Sequence, residues 1–190
     1  RTKEIAEGEP DTAFYRMELL PRRLCMDTAL FNYPGITSFA SSNSYMTTRF
    51  MGAMGYAVNG VNSYQYHSFM SSADSLLGIR YIVLDQNIVG HRQLQQLDSV
   101  TVGEQNPKTY YIYENTDALP VAYRVNSDVK NWASEYYDPL ETQNSLFQAM
   151  TGDSRPLYTA MPVEPAAGYE SQFKTKQTHG FSYYPASSDS

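Results

Sequence analysis

The stretch FMSSADSLLGIRYIVL, residues 69–84, decides the fold. In its first half Phe69, Ala73, Leu76 and Leu77 fall at helical spacing, with Ser71 and Asp74 placed as a capping pair. Gly78 ends that helix, because glycine enters the left-handed conformation past a helix end without strain. Residues 79–84, IRYIVL, are nearly all apolar and rich in β-branched and aromatic side chains, as in a strand covered on both faces. A helix running through one glycine into a central strand is a unit of packing rather than of chemistry.

Toward the N-terminus, AFYRMELL at 13–20 alternates as a strand does, with Phe14, Arg16 and Glu18 on one side and Tyr15, Met17 and Leu19 on the other. Pro21 stops it. Residues 22–43 are neither helical nor alternating; NYPG at 32–35 makes a turn, and the hydroxyl-rich TSFASSNS at 37–44 leads into a helix at 44–54. Met46, Phe50, Ala53 and Met54 form its apolar stripe and Gly55 closes it. The serines before it are more readily caps than ligands. A connection rich in Tyr and Asn, 60–68, returns the chain to the organising helix.

Toward the C-terminus, 85–97 is polar with room for a short helical turn, and strands at 99–102 and 109–113 flank the turn GEQNPK. A last strand at 121–125 follows Pro120. Asp138, Pro139, Glu141 and Gly152 sign the two ends of a helix at 139–151. The fold class expected is therefore α/β in the mixed, α+β sense. A central mixed sheet of about five strands (13–20, 79–84, 99–102, 109–113, 121–125) is covered by about three helices (44–54, 68–77, 139–151). Residues 1–12 read as a lead-in, 13–154 as the domain, and 155–190 as a partial β appendage or tail.

Composition bounds function. A chain of 190 residues with 42% hydrophobic content can bury a real core. No run approaches the roughly 20 apolar residues needed to cross a bilayer. The chain opens RTKEIAEGEPDT, without an initiator methionine or a signal segment, and is expected to be a piece of something longer. Net charge is −6 and the 14 Lys and Arg are scattered, which disfavours nucleic acid as a partner. The single Cys25 excludes an intrachain disulfide and any multi-cysteine zinc site, and leaves the compartment open. Tyr is over-used, at 17, beside a lone Trp132. Tyrosine suits half-buried strands and interfaces as well as sugar-stacking surfaces, and the structural use is favoured.

Sequence chemistry is sparse. His67, His91 and His179 stand far apart, and there is no HExxH, GxSxG, P-loop or GxGxxG pattern. Cys25 reads as a small buried hydrophobe. Glu18, Asp85, Glu114 and Asp117 could supply a carboxylate pair, but among 20 acids some pair always suggests itself. No metal and no cofactor is expected.

Several segments in order carry a family resemblance: FYRME (14–18), NYPG with SFASS (32–42), MGAMGY (51–56), LLGIRYIV (76–83), YIYEN (111–115), LPVAYRV (119–125) and PLETQNSLFQAMTG (139–152). Together they resemble the extracytoplasmic portion of YfhO-like bacterial membrane proteins. That family has many membrane helices around a glycosyltransferase-C-like core, and is implicated in adding sugars from a lipid-linked donor to envelope polymers such as lipoteichoic acid. Arg80 falls where the family is commonly basic. The membrane helices are absent here, as are the acidic catalytic residues that such enzymes carry on a loop between early membrane helices.

The resemblance therefore implies an accessory domain without catalytic residues. It would sit on the extracytoplasmic face of a bacterial membrane, with the membrane core of its own polypeptide as partner. Envelope polymer or lipid-linked sugar is a further implied partner. On this reading Arg16 and Arg80 could clamp a phosphate or carboxylate, Ser41, Ser42, Asn115, Gln143 and Asn144 could hydrogen-bond a ligand, and Tyr81 or Tyr123 could stack on sugar. Structural roles compete at each: Arg16 with Glu18, Arg80 with Glu114, Asn115 in a turn. Two rival functions are a cell-wall carbohydrate-binding module with no part in transfer, and a secreted glycoside hydrolase.

Overall fold

The computed structural model describes residues 14–24, 26–134 and 138–159. Its elements run in the order β1 (Arg16–Leu20), α1 (Asp27–Leu30), β2 (Ser38–Phe39), α2 (Tyr45–Ala53), β3 (Ala57–Asn59) and β4 (Ser63–Gln65). Then come α3 (Ser71–Leu76), β5 (Ile79–Leu84), β6 (Leu94–Val102), β7 (Lys108–Asn115), a 3-10 turn (Ser127–Asn131) and α4 (Pro139–Thr151).

Gly78, at φ 66°, turns α3 directly into β5. A Cβ there would lie 2.9 Å from the Leu119 carbonyl oxygen, so close backbone approach and left-handed geometry both require glycine. β5 takes an inner place in a four-stranded sheet of order β1-β5-β7-β6. It pairs parallel with β1 and antiparallel with β7, and β7 pairs antiparallel with β6. Both faces of β5 are covered, as its composition demands. Ile79, Ile82 and Leu84 join the main core with Met51, Met54, Tyr56, Tyr66, Leu76, Tyr113 and Leu146. Tyr81 packs on the opposite side with Met17 and Tyr33, flanked by Tyr15, Val83 and Leu97.

Ile79 and Ile82 share a face although three residues apart, which a regular pleat forbids. The register supplies the reason: Arg16 stands opposite Ile79 but Met17 stands opposite Tyr81, so Arg80 is an extra residue in a bulge. The bulge turns Arg80 out of the core. A second irregularity between Gln96 and Asp98 leaves Leu97 extra in β6.

β2, β4 and β3 form a separate antiparallel three-stranded sheet in that order. Two or three residues each, they lie in segments that read as loops. α4 keeps its expected limits: Asp138 accepts from the N–H groups of Leu140 (2.8 Å) and Glu141 (3.4 Å), Pro139 opens the first turn, and Gly152 ends it at φ 74°.

Four expectations are corrected. Residues 121–125 do not form a strand; the Leu119 N–H donates to the Ser75 carbonyl (2.9 Å) and the Tyr123 hydroxyl to that of Leu76 (3.3 Å). Those bonds tie the segment to the end of α3 instead of to a sheet edge, leaving Val121 to Arg124 exposed. Residues 85–97 hold no helical turn, and β6 begins at Leu94 rather than at residue 99. Its polar, bulged N-terminal half pairs with the end of β7 and stays partly solvated, so it lacks the alternation that would betray a strand. The main sheet has four strands and not five. Finally, α3 starts at Ser71 with Met70 as its cap position, and Asp74 accepts from the Met70 N–H at 3.0 Å while Ser71 is the first helical residue. The lead-in 1–12, and the part of the appendage in 160–190, lie outside the described residues; 152–159 contain no strand.

Candidate functional site

The C-terminus of α3 gathers three of the residues singled out above. Its last carbonyls have no partner within so short a helix and must find donors elsewhere. Arg16 supplies two: its Nη1 donates to the Leu77 carbonyl, and its backbone N–H to that of Gly78 (3.1 Å). The guanidinium thereby sits at the negative end of the helix, and it also lies 5.2 Å from the Phe14 ring centroid. Asn115 donates from Nδ2 to the Ile79 carbonyl (3.1 Å) and to Ser75 Oγ (3.2 Å), and accepts the Asp117 N–H (3.2 Å). Tyr123 donates to Leu76. These side chains converge, but on the fold's own backbone.

Arg80 behaves differently. Freed from the core by its bulge, it pairs with Glu114 (Nε to Oε1, 2.9 Å) and lies 5.5 Å from the Tyr81 ring centroid, with about a third of its side chain exposed. Arg16 does not pair with Glu18. Tyr81 itself is buried, its ring edge-on to Tyr15 at 5.2 Å. Ser41 and Ser42 stand exposed in the turn before α2.

Gln143 and Asn144 lie on the buried side of α4. Gln143 donates to the Met54 carbonyl (2.9 Å) and accepts from the Ser72 hydroxyl, so it bridges α2, α3 and α4. Asn144 clasps the backbone of Tyr158 from both sides: Nδ2 to its carbonyl and its N–H to Oδ1, each 2.9 Å. The Tyr158 hydroxyl is 2.6 Å from Ser72 Oγ. Beside this clasp runs an open groove of about 280 Å³ lined by Glu141, Asn144, Ser145, Gln148, Pro156, Tyr158 and Thr159.

A strong electrostatic perturbation lies elsewhere, at two buried acids. Glu18, buried in β1, accepts from the N–H groups of Ile36 and Thr37 (3.2 Å) and from the Thr37 hydroxyl (3.5 Å). Gly35 makes room for it: a Cβ there would fall 2.7 Å from Oε1. Asp74, on the inner face of α3, accepts from the hydroxyls of Tyr56 and Tyr66, each 2.8 Å, besides the Met70 N–H. Burial pushes both carboxyls up to about 7, against the opposing pull of those donors; the charge of Glu18 adds a smaller rise at Asp74. The same surroundings raise the phenols of Tyr56 and Tyr66.

Sequence reading counted Glu18 among twenty acids and took Asp74 as a cap. The signal for Asp74 was its place beside Ala73 within the apolar face Phe69–Ala73–Leu76, where an acid must find donors. Tyr56 and Tyr66, which provide them to Asp74, and Thr37, which does so for Glu18, gave no signal because the acids they serve are 8 to 19 residues distant.

His67 has its pKa lowered by burial, and His91 stands edge-on to Phe69 at 5.6 Å. Among the described residues no three His, Cys, Asp or Glu side chains gather as a metal site would require. Cys25 and His179 lie outside those residues. No described helix is long and apolar enough to cross a membrane.

The family model described as the bacterial membrane protein YfhO matches residues 1–187, nearly the whole chain. The chain belongs to the YfhO family. No curated protein and no solved structure matches it. Membership makes this YfhO-family chain part of a membrane-protein lineage, and its described portion is the folded sheet-and-helix body above.

Proposed function

We propose that this YfhO-family chain is a non-catalytic domain on the extracytoplasmic face of a bacterial membrane. It would be joined to a multi-pass, glycosyltransferase-C-like core in the same polypeptide. Its role is accessory: it assists transfer of sugar from a lipid-linked donor onto an envelope polymer of the lipoteichoic-acid type, by covering the membrane site or presenting the acceptor. Family membership supports the membrane setting. The observation that carries the accessory reading is the use made of Glu18 and Asp74: both are enclosed, and each is held by three donors of the fold. An acid so engaged serves packing rather than a reacting substrate, which also argues against a glycoside hydrolase built on them.

Of the residues proposed to meet a ligand, Tyr123, Ser41 and Ser42 are exposed and Arg16 and Arg80 partly so; with Arg16 engaged on the Leu77 carbonyl, Arg80 is the natural contact for a polymer phosphate. Arg16, Tyr81, Asn115, Gln143 and Asn144 would act by holding the surface in shape. A second reading, carbohydrate binding without any part in transfer, is favoured by the groove beside α4, whose amide, hydroxyl and tyrosine lining suits sugar.

Sidedness is tested with an epitope inserted at Gly90 of the full-length membrane protein, where a side chain would meet open space. Antibody binding to intact protoplasts is the expected result; binding only after permeabilisation would contradict it. For the ligand, a glycerol-phosphate oligomer should perturb the Arg80 Nε–H resonance and bind more weakly to the Arg80→Gln variant.

A further inference from the structure

Around α1 the usual polarity is inverted. The acid Asp27 is buried, and its two carboxylate oxygens accept the N–H groups of Arg23 (2.7 Å) and Leu24 (2.8 Å). With the charge turned inward, the apolar side chains of the same short stretch are left outside: Leu24 is 56% exposed, Met26 48%, Leu30 61% and Phe31 47%. Scattered exposed leucines need no explanation, but four large apolar residues within eight positions do. The segment is not loosely attached. Thr28 donates to the Thr37 carbonyl (3.1 Å), the Tyr33 N–H to the Thr28 carbonyl (3.0 Å), and Arg22 to the side chain of Gln65.

Beside this face stands a cationic rim. Arg23 Nη2 is 3.4 Å from the Tyr110 hydroxyl, and Lys108 Nζ is 5.5 Å from the same ring's centroid, so both charges meet at one tyrosine, with Arg22 adjacent in sequence. The acids nearby are Asp27 and Glu18, both enclosed and the latter facing Arg22, and Asp85, which pairs with Lys108 at 2.7 Å. The chain as a whole carries −6, so a local excess of positive charge runs against its composition.

We propose that this face rests on an anionic bilayer surface: Leu24, Met26, Leu30 and Phe31 enter the boundary between headgroups and acyl chains, while Arg22, Arg23 and Lys108 meet lipid phosphates. Apolar side chains rimmed by guanidinium and ammonium groups are the arrangement that interfacial segments use, each part supplying attraction the other lacks. The membrane lineage of the chain places such a surface within reach. Charge complementarity favours lipid over a second copy of the chain, which would bring one cationic rim against another.

The test is co-sedimentation of the 190-residue chain with vesicles of phosphatidylglycerol mixed with phosphatidylcholine, and of phosphatidylcholine alone. The chain should partition onto the anionic vesicles, with the Leu30→Ser/Phe31→Ser and Arg23→Glu variants each weakened about tenfold. Only the anionic binding should decline as salt rises to about 0.5 M. These side chains are exposed, so thermal melting verifies that each variant is folded. Absence of binding to anionic vesicles, or binding that neither variant weakens, would overturn the proposal. So would a dimer that the same substitutions abolish in the absence of vesicle binding. None of these outcomes touches the proposed role in sugar transfer, which rests on different residues.

Discussion

The Tyr66 hydroxyl lies 2.8 Å from Asp74 Oδ2, and the Tyr56 hydroxyl is equally close to Oδ1, so one buried carboxyl on α3 is gripped by the two phenols that lead into β3 and out of β4. That grip joins the helix feeding β5 to β3 and β4, elements with few residues of their own to pack. Replacing Asp74 by Ala would leave two hydroxyls and the Met70 N–H unpaired, and should cost about 3 kcal/mol or more of stability. Asp74→Asn, which keeps an acceptor and finds a rotatable hydroxyl for its amide, should cost about 1 kcal/mol. Urea unfolding of the two variants checks the order.

Stability should fall as pH rises through neutrality. Glu18 and Asp74 titrate near 7 in the fold, against ordinary values of 4.5 and 3.8. The folded state therefore binds protons more tightly, and the contribution of these acids is full below about 4 and gone above about 7. At about 1.4 kcal/mol per unit of pKa, each acid contributes on the order of a few kcal/mol. Asp153, held down to about 2 by Arg155, acts in the opposite sense, but only as pH falls below its ordinary 3.8. Thermal melting should thus be higher at about pH 5 than at about pH 8, and the Glu18→Gln/Asp74→Asn variant should show a flatter profile. A wild-type melting point that climbs over that interval would refute this assignment.

Glycine substitutions separate two kinds of constraint. Gly78→Ala forces a side chain into a left-handed residue and toward the Leu119 carbonyl, for a loss of about 2 kcal/mol or more. Gly35→Ala strikes Thr28, Glu18 and Tyr33, all within 3.0 Å, and should cost a comparable amount. Only the second displaces Glu18, so only the second should also alter the pH profile of melting.

Tyr33 buries a hydroxyl that finds no hydrogen-bond partner among the described residues. Tyr33→Phe removes that unpaired group without changing the ring packed on Met17 and Tyr81, and should leave stability unchanged or raise it by about 1 kcal/mol. Calorimetry would decide; a loss of more than about 1 kcal/mol would mean that the hydroxyl is bonded in solution.

Much of the frame was legible in the sequence because it rests on local chemistry. The helix–Gly78–strand unit, the strand at β1 and both ends of α4 follow from glycine, proline, capping and periodicity within a few residues. What escaped depends on distant partners. β2, β3 and β4 are too short to show alternation, and the bulges at Arg80 and Leu97 appear only when a neighbouring strand fixes the register. Of the residues singled out in the sequence, Arg16, Asn115 and Tyr123 lie together. That they meet at the end of α3, on the Leu76 and Leu77 carbonyls, Ser75 Oγ and the Ile79 carbonyl just beyond, could not be read from spacing, because those partners lie some 40 to 60 residues away.

The central claim, that the interior acids hold an accessory domain together rather than perform its chemistry, is tested most directly in the full-length membrane protein. Sugar incorporation into envelope polymer would be measured in membranes carrying the wild type, the Glu18→Gln/Asp74→Asn variant, and a deletion of residues 14–159. The account predicts that the deletion impairs incorporation while the amide variant stays within about twofold of wild type. Loss of incorporation in an amide variant that is folded and present at the wild-type level would contradict it.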